Sequence, residues 1–157
     1  MLKFLNYNKL SIFRRSRRKV KKTKNRGKTR KSVIWQDAPD IAKQIVYLCD
    51  KLDLSWVEVN SLHCMRSENS QTRAYARIWG LSKVWQQALK QKPAYIVEVI
   101  SEKYDKLSNI EKDKVLLHEL THIPKNFSGS LVPHIRRGKR NFHRKVEDLY
   151  NRHIKQE

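Results

Sequence analysis

The chain is short of the residues that small domains use as staples and hinges. Only two cysteines, four glycines and four prolines occur in 157 residues. Cys49 and Cys64 stand outside any C-x-x-C pair, so they can build neither a disulfide framework nor a zinc ribbon. They read as buried free thiols of a reducing compartment. No apolar run approaches the ~20 residues that cross a bilayer. The order of a secretory signal is also missing, because Leu2, Phe4 and Leu5 precede the positive charges and no long apolar segment follows. The expected location is therefore intracellular, in the cytoplasm. Acidic side chains are absent from positions 1–32, which hold 14 of the 35 Lys and Arg. The remaining 125 residues keep 21 basic and 15 acidic side chains, a net +6 against +20 for the whole chain.

That asymmetry divides the sequence. Residues 1–32 form a basic tail, and residues 33–157 have the length and composition of one folded domain with a core. Within the tail, Leu2, Phe4, Leu5, Tyr7, Leu10, Ile12 and Phe13 suffice for a short amphipathic segment. The run 14–31 can bury no apolar area and repels itself, so it is predicted to be disordered alone. Such a run suits non-specific contact with nucleic-acid phosphates, and it can equally solubilise the chain or serve as an organelle address.

The domain reads as α+β. Asp37-Ala38-Pro39-Asp40 starts a helix, continued by Ile41, Ile45, Leu48, Cys49 and Leu52 at helical spacing and ending near Asp53. Trp56 to Arg66 and Thr72 to Trp79 alternate as strands around a polar turn at Glu68 to Gln71, and Gly80 breaks the second. Leu81 to Leu89 reads as a short helix or irregular segment. Tyr95 to Ile100 is the strongest strand, and Glu102 to Leu107 a short loop. Ser108 and Glu111 make a capping box for the next helix, which Pro124 ends near Ile123. Residues 124–140 form a loop, and Phe142, Val146, Leu149 and Tyr150 mark a last amphipathic helix. The four tryptophans, Trp35, Trp56, Trp79 and Trp85, are assigned to the core. Glu98, inside an apolar strand, is expected to face outward, with pairing to Arg77 or a place in a cleft as alternatives.

The capped helix carries the chemistry. His118-Glu119-Leu120-Thr121-His122 is an H-E-x-x-H pattern. Spacing of four places both imidazoles on one face, one turn apart, where they can share one metal ion. Glu119 then stands where a carboxylate can hold a metal-activated water and take its proton. The expected cofactor is one zinc ion, the expected substrate a protein or peptide. A catalytic zinc usually takes three protein ligands, and His134, His143 and Glu147 are the candidates downstream. The metzincin class is excluded, because Lys125 and Ser128 stand where it needs glycine and histidine. A second basic cluster, Arg136-Arg137-Gly138-Lys139-Arg140 with Arg144 and Lys145, is either a solvated face or a surface for acidic partners.

Residues Trp35 to Tyr150 resemble the Putative phage metallopeptidase family. The similarity rests on Arg73-Ala74-Tyr75-Ala76-Arg77-Ile78, Tyr95 to Glu102, His118 to Lys125, Phe127-Ser128-Gly129-Ser130-Leu131 and Pro133-His134. It implies a small zincin-like domain, with a short mixed or antiparallel sheet packed on the active-site helix. It also implies that His134 completes the set of metal ligands His118, His122 and His134, with Glu147 the alternative. Ser130 departs from the second glycine usual there, and the tail lies outside the resemblance. The loop is similar in layout to that of SprT-type proteases.

Overall fold

In the computed structural model, residues 31–134 and 142–155 are described. The expectations for residues 1–30 and for Arg136 to Arg140 fall outside them. The elements follow the order β1 (Ile34–Asp37), α1 (Pro39–Lys51), a 3-10 turn (Val59–Ser61), β2 (Leu62–Glu68), β3 (Ala76–Gly80), α2 (Lys83–Leu89), β4 (Tyr95–Ile100), α3 (Ser101–Tyr104), α4 (Asn109–Thr121) and α5 (Phe142–Ile154). The four strands make one mixed sheet in the order β1-β2-β4-β3. β2 and β4 are parallel, while β1 and β3 are antiparallel to their neighbours. The α+β class is as the sequence implies.

Strand β4 sets the core. Its alternate residues Tyr95, Val97 and Val99 turn to the helical side and join one cluster with Ile45 and Leu48 of α1 and Leu116, Leu117 and Leu120 of α4. Burying each such aliphatic side chain contributes roughly 1.5–3 kcal/mol. α4 lies in the middle of the helical layer, touching α1, α5 and β3. Its polar core link is Asp113, which accepts from Gln44 Nε2 of α1 at 2.6 Å and pairs with His153 Nε2 of α5 at 3.0 Å.

Four local expectations are corrected. Trp56 to Ser61 is not strand: the Val57 and Ser61 amides close turns onto Leu54 and Glu58 carbonyls. Val57 therefore reaches the core from a turn, and pairing starts at Leu62. Strand β1 precedes the first helix, where no strand was expected; four exposed residues carry no burial alternation to read. Ser101–Tyr104 is a helical turn rather than loop, with Tyr104 buried beneath it. Trp35, Trp79 and Trp85 are exposed by 56%, 50% and 58%, and only Trp56 packs partly on the core.

Glu98 is likewise not outward-facing in the solvated sense, being 1% exposed. It lies on the face of the sheet away from the helices, roofed by its own partners. Its carboxylate accepts from Arg77 Nη2 at 2.8 Å, Trp35 Nε1 at 3.2 Å and Trp79 Nε1 at 2.9 Å. The anticipated partner Arg77 is present, and two indoles accompany it. Burial alone would raise the carboxyl pKa. The Arg77, Ser67 and Trp79 side chains around it, with the Arg77 charge, outweigh that effect and hold it below the ordinary range.

Candidate metal centre and cleft

Helix α4 begins as its sequence dictates. Ser108 accepts from the Glu111 amide, and the Glu111 carboxylate accepts from the Ser108 amide and hydroxyl. The box satisfies amides that the first turn leaves unpaired. From that start His118, Glu119 and His122 fall near the other end, with His122 capping it in helical conformation. The rings of His118 and His122 lie 5.2 Å apart, centre to centre.

The loop after α4 brings His134 to them. Its ring centre is 5.1 Å from that of His118 and 4.5 Å from that of His122. One nitrogen from each of the three rings falls within 4.8 Å of the other two, a group that could hold a metal ion. Nε2 of His118 and of His134 approach to 2.9 Å. His122 donates from Nδ1 to the Val132 carbonyl at 2.6 Å, so its Nε2 keeps the lone pair a metal needs. Burial lowers the His122 pKa, as does His134 nearby, against the Val132 hydrogen bond. The donor set and its orienting carbonyl fit a zinc-like ion. Phe142, at the start of α5, packs on all three rings, 4.3–5.0 Å from their centres.

The loop is held from below by residues that carry no motif in the sequence. Tyr95 Oη accepts from the Gly129 amide and donates to the Ser130 carbonyl, both at 2.8 Å. Gln86 Nε2 donates to the carbonyls of Leu81 and Ser128. The Val132 amide returns to the His122 carbonyl at 2.8 Å. Gly129 has φ +79°, and a Cβ there would sit 2.1 Å from the Leu81 carbonyl oxygen; a Cβ on Gly80 would meet the Gly129 carbonyl at 2.3 Å. The two glycines let the loop lie directly on the end of β3. The signal for this was weak in the sequence, since Tyr95 differs from a plain core residue only by its hydroxyl.

Glu119 is buried beside the three rings, and its carboxylate accepts from the Ile78 amide of β3. Burial pushes its pKa up to about 7, against that hydrogen bond. Glu147 is exposed on α5 and stands outside the three-ring group. The His143 side chain is outside the described residues, as is the greater part of the second basic cluster; Arg144 and Lys145 are exposed. Tyr95 spends its hydroxyl on the loop. Cys49 and Cys64 are free and buried, as expected. No helix of the described residues is long and apolar enough to cross a membrane.

A family model described as Putative phage metallopeptidase matches residues 33–154. No curated protein and no solved structure matches the chain.

Proposed function

The chain belongs to the Putative phage metallopeptidase family, and on that premise we propose that it is a zinc-dependent peptidase of zincin-like construction. Three imidazoles converging beside a buried carboxylate carry this reading. His118, His122 and His134 are the ligands, and Glu119 is the general base. A bound zinc ion would supply a Lewis acid that polarises the scissile carbonyl and acidifies water. Glu119 takes the proton of the attacking water and returns it to the leaving nitrogen. Its buried position favours both roles, because a carboxyl poised near neutrality exchanges protons readily. The Val132 carbonyl fixes the ring of His122, and Phe142 packs against all three rings while His134 stays exposed.

The substrate path follows from the sheet. β3 is an edge strand, and Ile78 turns its amide outward to Glu119 rather than into the ladder. By the alternation of antiparallel pairs, Ala76 turns its backbone groups to the same free edge. An extended peptide can add there as a further strand, with its backbone running past Glu119.

Zinc content and proteolysis test the reading together. The full chain should bind one zinc ion, and His118→Ala or His122→Ala should lose it. Glu119→Gln should keep the metal and lose roughly 10²–10⁴ in rate. Full activity in Glu119→Gln would overturn the assignment of the base.

The charge asymmetry favours a second reading. The 14 basic residues of positions 1–32 suit nucleic-acid phosphates, either recruiting the peptidase to nucleic-acid-bound proteins or serving a binding protein whose domain is inactive. Salt-dependent binding of DNA or RNA, lost on removal of residues 1–32, with no proteolysis of any substrate, would favour the binding protein.

A further inference from the structure

Glu147 is no member of the three-ring group, yet it borders the site. Beside His118 and Glu119 a cavity of about 550 Å³ opens between the approach to β3, α4 and α5. Ala76, Leu107, Val115 and Val146 line it as buried or half-buried apolar surface, whereas Glu111 and Glu147 line it as exposed carboxylates. Neither carboxylate has an ion-pair partner among the described residues. Among the described residues Glu111 is engaged with Ser108 alone, as the helix cap. Lys114 also borders the cavity, but its ammonium lies 5.0 Å from the centre of the Tyr150 ring, which is not part of the lining. Among the described residues the result is an apolar slot whose exposed rim carries two carboxylates against one ammonium, a net negative charge.

A side chain with a long aliphatic stem and a cationic end matches that profile, because it buries the stem and keeps its charge at the rim. Resting on the peptidase reading above, we infer that the cavity takes a lysine-like side chain of the substrate, adjacent to the bond that is cut, and that Glu147 determines this specificity. The whole-chain charge of +20 acts in the opposite sense, drawing acidic substrates. Screening confines that field to about 8 Å at physiological salt, so a side chain seated between Glu111 and Glu147 feels the local carboxylates first. The two effects apply to different parts of the substrate: acidic residues are tolerated on its flanks, and a cation is selected at one position.

The probe is a capped, alanine-rich octapeptide in which lysine, its neutral isostere norleucine, or glutamate is moved through each position. The full chain, loaded with zinc, should cut beside lysine roughly threefold to tenfold faster than beside norleucine, with glutamate slowest. Glu147→Gln should shrink that ratio and Glu147→Lys should invert the order of lysine and glutamate; circular dichroism checks that both variants fold. Binding of the same peptides to zinc-loaded Glu119→Gln, read by fluorescence anisotropy, should show the same order without turnover. Peptides bound with lysine preferred but left uncut would sink the peptidase reading and keep the cavity's selectivity. Cleavage or binding indifferent to lysine, or an order unmoved by Glu147→Lys, would overturn the selectivity and leave the peptidase standing. Peptides neither bound nor cut would overturn both.

Discussion

Glu98 shows what a single residue can hide in an apolar strand. Its carboxylate gathers one guanidinium and two indole N–H groups, and each donor loses its acceptor if the side chain is truncated. Glu98→Ala should cost about 2–4 kcal/mol, less than for a fully buried pair because Arg77 is a third exposed. Its folded pKa lies below the ordinary 4.5, so the unfolded chain binds the proton more readily. The stabilisation is complete above about pH 4.5 and is lost as pH falls through the lower, folded value. Denaturant unfolding between pH 6 and pH 3 should show this acid limb in the parent chain and a weaker one in Glu98→Gln. Strand alternation assigns Glu98 correctly to the face opposite Val97 and Val99. Its burial depends on Trp35, 63 positions away, and no local pattern carries that. The same limit misplaced Trp35 and Trp79 in the core: a large aromatic signals contact, not which side of the sheet supplies it.

At the scale of elements, legibility followed how much of each element's stability is local. Helix α4 was readable at its start because Ser108 and Glu111 satisfy its first amides within four residues. Ser108→Ala should lower stability by about 1 kcal/mol, measured by chemical denaturation, without changing the slope. β4 was readable because five of its six residues are apolar or aromatic, four of them buried. β1 was not, since four exposed residues become strand only by pairing with β2. The loop carrying His134 is an intermediate case. Gly129 announced a turn, but its close contact with Gly80 and Leu81 is tertiary. Gly129→Ala should cost more than about 2 kcal/mol, combining left-handed strain with a backbone clash. It should also weaken zinc retention in competition with a chelator, even though no ligand is altered.

On the scale of the whole molecule, α4 is tied to both neighbouring helices through Asp113, with Gln44 on one side and His153 on the other. α5 in turn carries Phe142 over the three rings and Glu147 to the cleft. A ligand held only by the folded state raises its stability by mass action. One equivalent of zinc should therefore raise Tm in the parent chain and leave it unchanged in His118→Ala. The two thiols offer an independent probe of the same core. Burial pushes both up to about 11, helped by Asp50 for Cys49 and by Asp40 for Cys64. A disulfide reagent at pH 8 should find almost no reactive thiol in the native protein and two after unfolding. These couplings have no local signature: the motif lies within one helix turn, while the partners that hold it come from α1, β4 and α5 at once.

The Tyr95 hydroxyl holds the Gly129 amide hydrogen in a bond that exists only when the loop is closed on the sheet. That single amide is consequently a clock for the loop. Metal that binds the closed arrangement should slow its exchange with deuterium, in proportion to the population shifted, while amides in α1 keep their rates. Tyr95→Phe removes the acceptor and speeds the clock. The protein thus carries, on a strand that supplies none of the three histidines, its own readout of whether the third histidine is in place.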